Sequence, residues 1–593
     1  MNTSVAAADT PRRARSLNAG PLWLAAPGVL FLAAFLVYPS LRLLSLSMIQ
    51  NGTGEFSMSA FARFFGPSVY RQVLQTTFSI AFQTTAYCLL FGYPLAYWLS
   101  GLPKRQQQGV ALLVLLAFWT STLVKNFAWM VLLGRTGFVA NVMHELGLAG
   151  GDRLLFNRTA VIFTISHTLL PLAVVTMLPV MNQIDRRMSM AAATLGGDRA
   201  QVFWRIFFVS SMRGVAAAGL LVFISALGFF ITPTLLGSPR EMMLGQLIIV
   251  QINELQNWQL GSALAVVLVM SALISCFLYN LVFGMSSLAG DADSVRPSHH
   301  LHLRRAGNAM VNAAGFLSSH VVAFYDRRVQ PITRVSPLLV YSCALIFVLL
   351  FPIAAIVPMS FTSDTFLSFP PKGFSLRWFD AYFSSSLWIG ATVRSFGIGL
   401  VAALATAVIA TLAALGIARS RSRMKGALFL LFLLPMIVPS IVTAIALFFL
   451  CAHISLVATN IGIVIGHVVI AMPIVFVILL TTFKGHDWGL DHAAGTLGAT
   501  RLQVLRRITL PCVKNGLTAG FVIGFLTSFE ELTVALFIGG GVKTTLPKQL
   551  WDDILLQVTP TLAAASTVVL SVVTLLFLLL QSVHPRGRTA ASQ

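Results

Sequence analysis

Ionisable side chains are scarce inside the long apolar runs of this 593-residue chain, so the few found there are the first candidates for chemistry. Lys125, Glu530 and Glu531 each interrupt such a run, as do His167 and His467. A charge in apolar surroundings is costly and implies pairing or passage. A carboxylate suits a cationic amine; a fixed lysine suits the converse. Neighbours on a helix point about 100° apart, so Glu530 and Glu531 cannot both face one spot. One is free to line a passage while the other pairs, with Lys125 as a candidate partner, and for Glu530 both roles stay open. The two histidines read as packed or hydrogen-bonded core residues. No catalytic constellation is present, and a Gly-x-x-x-x-Gly-Lys-Ser/Thr phosphate loop is absent. The chain is not expected to be an enzyme, to hydrolyse ATP or to hold a cofactor or metal of its own.

A second constellation is basic and occurs twice. Residues 191–210 (AAATLGGDRAQVFWRIFFVS) and 493–512 (AAGTLGATRLQVLRRITLPC) are identical at ten of twenty positions at a shift of 302. Shared are Ala191/Ala493, Ala192/Ala494, Thr194/Thr496, Leu195/Leu497, Gly196/Gly498, Arg199/Arg501, Gln201/Gln503, Val202/Val504, Arg205/Arg507 and Ile206/Ile508. The pattern predicts a helix, a glycine turn, a short helix and then an apolar span, with Asp185 or Asp491 capping the first helix. Gly196 and Gly498 make a bend easy; opposite Gly197 the second copy has Ala499. The short second helix would present Val202, Phe203 and Trp204, or Val504 and Leu505, to another protein. Arg199 and Arg501 would border that contact, and Pro511 closes the second copy. Two equivalent surfaces imply a dimeric partner. A solvated loop duplicated along with its half is the plainer alternative.

The elements around these residues are membrane-length. Hydrophobic residues make up 57% of the chain and charged ones 10%, against about 25% charged in soluble proteins; the mean hydropathy is +0.83. Too few polar residues exist to clothe a soluble particle, so lipid must face much of the surface. Apolar stretches able to cross a ~30 Å core fall near 22–47, 73–99, 109–133, 157–181, 213–236 and 259–283, then near 337–360, 391–417, 426–450, 458–482, 515–538 and 560–582. That predicts an all-α polytopic membrane protein of twelve helices in two sets of six. The halves are 1–283 and 337–593, joined by a polar linker at 284–336. The first run is too long for a signal core and reads as a retained helix.

Lysine and arginine concentrate in alternate connections, from Arg12, Arg13 and Arg15 through both islands and Arg419 to Arg586 and Arg588. By the positive-inside bias both islands and both termini are expected in the cytoplasm. The net charge of +21 is spread in short runs between spans, which argues against nucleic acid as a partner. Five dispersed cysteines show no metal or redox spacing, and His299, His300 and His302 read as part of a solvated tether. A rigid Phe369–Phe374 segment is expected to lead into a short outer helix near Leu376–Phe383.

The islands resemble the glutamate-alanine-alanine loop of permeases in binding-protein-dependent ATP-binding-cassette importers. That pattern is Glu-Ala-Ala, three free positions, Gly, nine free positions, Ile-x-Leu-Pro. Copy two carries Ala493, Ala494, Gly498, Ile508, Leu510 and Pro511, with His492 in place of the glutamate. Copy one carries Ala191, Ala192, Gly196 and Ile206, with Met190 for the glutamate and Phe208-Val209 for Leu-Pro. Further stretches, among them Phe118-Trp119-Thr120-Ser121, Thr232-Pro233-Thr234, Val438-Pro439-Ser440 and Ser528-Phe529-Glu530-Glu531, resemble the two permease subunits of spermidine/putrescine-type importers joined end to end. The resemblance implies the type I importer fold, two six-helix halves in pseudo-twofold arrangement, in a bacterial inner membrane. It implies ATPase coupling through Ala191, Ala192, Gly196, Arg199, Val202, Ile206, Ala493, Ala494, Gly498, Arg501, Val504, Ile508 and Pro511. Partners would be a homodimeric ATPase using ATP and magnesium, an external substrate-binding protein, and membrane lipid. The cargo would be a polyamine or related cationic amine, with aminoethylphosphonate, opines or ferric ion as alternatives carried by the same architecture. An ion-coupled secondary transporter of two halves is the competing class, and it gives no reason for a repeated basic island.

Overall fold

The apolar runs fold as helices because a helix satisfies its own N–H and C=O groups where lipid offers no partner. The computed structural model describes residues 20–49, 54–66, 68–148, 150–283, 316, 318, 319, 336–420, 422 and 424–583. Among them β-structure is confined to two isolated bridges, Ile49–Phe56 and Thr362–Phe374. The terminal arginines and the linker histidines lie outside the described residues.

The first half runs α1 (Pro21–Leu46), α2 (Ser59–Phe65), α3 (Ser68–Gly101), α4 (Lys104–Trp119), α5 (Thr122–Leu132), α6 (Phe138–Glu145), α7 (Arg158–Asn182), α8 (Arg186–Thr194), α9 (Arg199–Leu227), α10 (Ile231–Leu236), α11 (Leu244–Ile249) and α12 (Trp258–Phe283). The second runs α13 (Pro337–Ser360), α14 (Arg377–Ser384), α15 (Ser386–Arg419), α16 (Lys425–Ile437), α17 (Ser440–His453), α18 (Asn460–Lys484), α19 (Trp488–Thr496), α20 (Arg501–Phe529), α21 (Thr533–Ile538), α22 (Leu546–Leu556) and α23 (Pro560–Val583). The halves match element for element except that α6 has no counterpart. Helices α2, α3 and α5 start again 318 residues later, whereas α7 to α12 start again 302 residues later. The first half therefore carries 16 extra residues between α5 and α7, where α6 lies. Its Phe138 ring packs on Phe351 (5.5 Å) and Phe369 (5.4 Å) of the second half.

Among the described residues nine helices are long and apolar enough to cross a membrane, and two bent pairs also qualify: α4–α5, bent by 86°, and α16–α17, bent by 96°. Two expected spans, 109–133 and 426–450, are thus each two helices meeting near a right angle. The backbone turns extended at Thr120 and Ser121 in one and at Val438 and Pro439 in the other. Pro439 accounts for the second break, since proline lacks an N–H and disfavours helical geometry in the residue before it. The remaining expected span, 73–99, lies in the 34-residue helix α3. It is less apolar than the other spans, interrupted by Gln75, Gln83 and four threonines.

Each half is built on three mutually packed helices, α3, α7 and α9 in one and α15, α18 and α20 in the other. The first helix of each half then crosses over. Helix α1 lies on α15 and α17, and α13 lies on α3, α4 and α5. Close approach is visible at Gly28 of α1, where a Cβ would meet the Phe432 ring at 2.6 Å. On the other side the Tyr341 hydroxyl of α13 donates to the Phe91 carbonyl of α3 (2.7 Å).

Candidate functional site

Both islands fold as helix, glycine turn and short helix, and the turn is the same in each. Gly196 and Gly498 both have φ of +87°, a left-handed conformation that costs other residues about 1–2 kcal/mol. The short helix passes through a π-turn, Phe203–Phe208 or Leu505–Thr509, into the long span that follows. Beside the glycine stand Leu195 and Leu497, 89% and 88% exposed. Exposed too are Ala191, Arg199, Ala493, Arg501 and Pro511, while Ala192, Val202, Ile206 and Ile508 are half-buried.

Three sequence expectations change here. Val504 and Ala494 are buried, so Val504 is not offered to a partner; the exposed apolar tip is the leucine before the glycine. Phe203 packs edge-on against Tyr97 (5.1 Å), and the Trp204 indole N–H donates to Ser318 Oγ (2.9 Å), so both face the protein. In copy two the cap is Asp487, which accepts from Gly489 N (2.8 Å) as Asp185 accepts from Arg187 N (2.9 Å). Asp491 is not a cap. It is buried between Arg419, His486 and Thr509.

The charged cluster forms where the broken spans meet the other half. Lys125, 2% exposed, donates from Nζ to the Ala117 carbonyl (3.1 Å), one of the acceptors left open where α4 ends. It also interacts electrostatically with Glu530 at the end of α20. Glu530 Oε1 is buried and accepts no hydrogen bond among the described residues. Glu531 differs: its two oxygens accept from Thr533 N (2.9 Å) and Val534 N (2.8 Å), the first donors of α21. His467 bridges Ser528 Oγ (2.6 Å) and Glu531 Oε2 (3.6 Å). His167 Nε2 lies 3.1 Å from the Val348 carbonyl on α13. The adjacent carboxylates are thus divided, one toward Lys125 and one onto the backbone. At the 302-residue shift their positions hold Gly228 and Phe229, and Gly228 approaches the Pro439 ring, a Cβ there lying 3.2 Å from it. Each broken span therefore meets the end of the other half's α9 or α20, and the acidic pair exists on one side only. No cluster of three or more metal-ligating side chains occurs among the described residues.

The family model of the binding-protein-dependent transport system inner membrane component matches residues 407–589. The chain is 29% identical over 255 residues to the spermidine/putrescine transport system permease protein PotB of Haemophilus influenzae, covering 42% of this chain and 89% of that one. It is 29% identical over 220 residues to PotC of the same organism, covering 37% and 85%. Residues 407–589 thus match the permease family of binding-protein-dependent importers, and stretches of about 40% of the chain each resemble PotB and PotC, the pattern of a fused permease. A solved bacterial alginate ABC transporter, in complex with alginate pentasaccharide-bound periplasmic protein, is 17% identical with a TM-score of 0.35, covering 44% of this permease and 91% of that chain.

Two features of the permease escaped the sequence. Leu195 and Leu497 were visible as an identical pair, but identity does not say which side chain points outward. Asp491 stands beside the family's alanines, where a capping role is the simpler expectation; only the fold brings Arg419 to it from 72 residues away.

Proposed function

We propose that this permease imports a polyamine or related small cationic amine, driven by a separate homodimeric ATPase docked on residues 191–209 and 493–511 at the cytoplasmic face. ATP and magnesium would be used by that partner, and an external substrate-binding protein would deliver cargo to the opposite face. What carries this is Glu530, a carboxylate with a buried open oxygen, set opposite Lys125 where the halves meet. A cationic amine entering between the halves competes with the Lys125 ammonium for that carboxylate. Glu531, engaged with α21, supports the helix rather than the cargo. Closure of the ATPase would rock the halves between two states whose balance the nucleotide shifts. The names of the relatives point to the same cargo class.

Reconstitution tests this directly. The permease with its ATPase pair and binding protein, in liposomes, should accumulate spermidine only with ATP and magnesium, and Glu530→Gln should weaken uptake at least tenfold. Uptake without an ATPase, or unchanged kinetics in Glu530→Gln, overturns it.

A further inference from the structure

The two docking loops are twins in sequence but are held by different chemistry. In the second, Asp491 is buried, its side chain 4% exposed. Arg419 Nη2 donates to its Oδ2 at 2.6 Å, Thr509 Oγ1 to the same oxygen at 3.0 Å, and His486 Nε2 to Oδ1 at 2.9 Å. These partners come from the end of α15, the turn after α18 and the π-turn that opens α20. Trp488, at the start of α19, closes the cluster. Arg419 lies over its ring at 4.6 Å, and the His486 ring meets it edge-on at 4.8 Å. One carboxylate thus joins the loop to all three core helices of the second half.

In the first half the same four positions hold Gly101, Ile184, Ser189 and Phe207, at shifts of 318 and 302 residues. None can carry a charge. That loop has a charged link, the Arg186 guanidinium donating to the Ser100 carbonyl at the end of α3, and otherwise rests on aromatic packing: Tyr97 meets Phe203 at 5.1 Å and Phe207 at 4.8 Å, and Tyr93 meets Phe208 at 5.5 Å. The Tyr93 hydroxyl lies 2.9 Å from Ser211 Oγ. Edge-to-face ring pairs tolerate small displacements, whereas a buried carboxylate with three directional donors resists any shear that separates them.

We propose that Asp491 is a positioning residue that makes the second loop a stiff lever on α15, α18 and α20, while the first loop is held compliantly. Push at loop two moves the three helix ends together. Push at loop one is partly absorbed where the π-turn of α9 lies on its aromatic bed, with Arg186 the charged tie from α8 to α3. The transmission half of this rests on the ATPase-docking role given above; the stiffness half does not.

The experiment separates them. Nitroxide labels placed singly at Leu195 and Leu497, both exposed, are read in the purified permease alone, in lipid nanodiscs. Label mobility should be lower at 497 than at 195 in the parent protein. Asp491→Asn, which keeps the shape and removes the charge, should raise mobility at 497 and leave 195 unchanged, with Asp491→Glu restoring part of the order. Equal mobilities, or no change in Asp491→Asn, overturn the stiff lever. With the ATPase added, Asp491→Asn should still bind it but move at least fivefold less spermidine per ATP. A loosened loop with unaltered spermidine per ATP overturns the transmission claim. Failure of the ATPase to bind the parent permease overturns the docking assignment and leaves the label result to decide the stiffness by itself.

Discussion

At the scale of single residues, the two adjacent glutamates are held in different ways. Glu531 gives both oxygens to the first backbone N–H groups of α21, donors with no intrahelical partner. Glu531→Ala should destabilise the permease by about 1–3 kcal/mol, the cost of leaving such groups unsatisfied in a buried site. Thermal unfolding in detergent reads that loss. The Lys125–Glu530 pair behaves differently, because a buried charge is costly mainly when its partner is removed. Lys125→Met alone and Glu530→Gln alone should each destabilise the protein, while the double variant should lie closer to the parent than the sum of the two. A double-mutant cycle by thermal unfolding measures the coupling, and strictly additive effects would refute the pairing. Lys125, Glu530 and Glu531 stood out in the sequence as charges in apolar runs; their division did not. It depends on where α20 ends, and one residue of phase decides which carboxylate meets α21 and which meets the other half.

At the scale of elements, the repeated loop was the most legible feature, since ten identities at one shift leave few alternatives. Its glycine was legible for a physical reason: only there does the turn need a positive φ. No atom outside the local backbone would touch a Cβ at Gly196 or Gly498, so substitution costs conformation and not packing. Gly498→Val should therefore leave thermal stability within about 2 kcal/mol yet displace Leu497 and reduce ATPase capture at least tenfold in a pull-down. Capture equal to the parent's would show that the turn does not present the docking surface. The broken spans were legible only on one side. Pro439 announces the second break, but Thr120 and Ser121, which turn extended in the first, carry no such signal. Pro473, by contrast, sits inside the unbroken helix α18, so proline alone does not decide where a span breaks.

At the scale of the molecule, the exchange of α1 and α13 explains why the two halves work as one chain. Apolar span sequences carry length and hydropathy but no address, so the crossover could not be read from them. Its consequence is that neither half completes its own outer layer. Without α1, the second half exposes the surface where Gly28 of α1 meets Phe432 and Ile409 and where Gly416 of α15 meets the start of α1; a Cβ on Gly416 would lie 2.8 Å from the Pro21 carbonyl. In lipid such surfaces associate through close packing of small residues rather than hydrophobic force, so the second half lacks a substitute for α1 in the bilayer. A permease divided within 284–336 should accordingly assemble from co-expressed halves, because the described contacts of α1 with α15 and α17, and of α13 with α3, α4 and α5, do not run through that segment. A tag on residues 337–593 should capture the first half in near-equal amount, and the pair should regain most of the spermidine uptake. Expressed alone, the second half should aggregate or be degraded, and adding a separate peptide of residues 1–60 should raise its yield severalfold by restoring α1. Recovery of a stable, monodisperse second half without α1 would show that the exchanged helix is dispensable for folding.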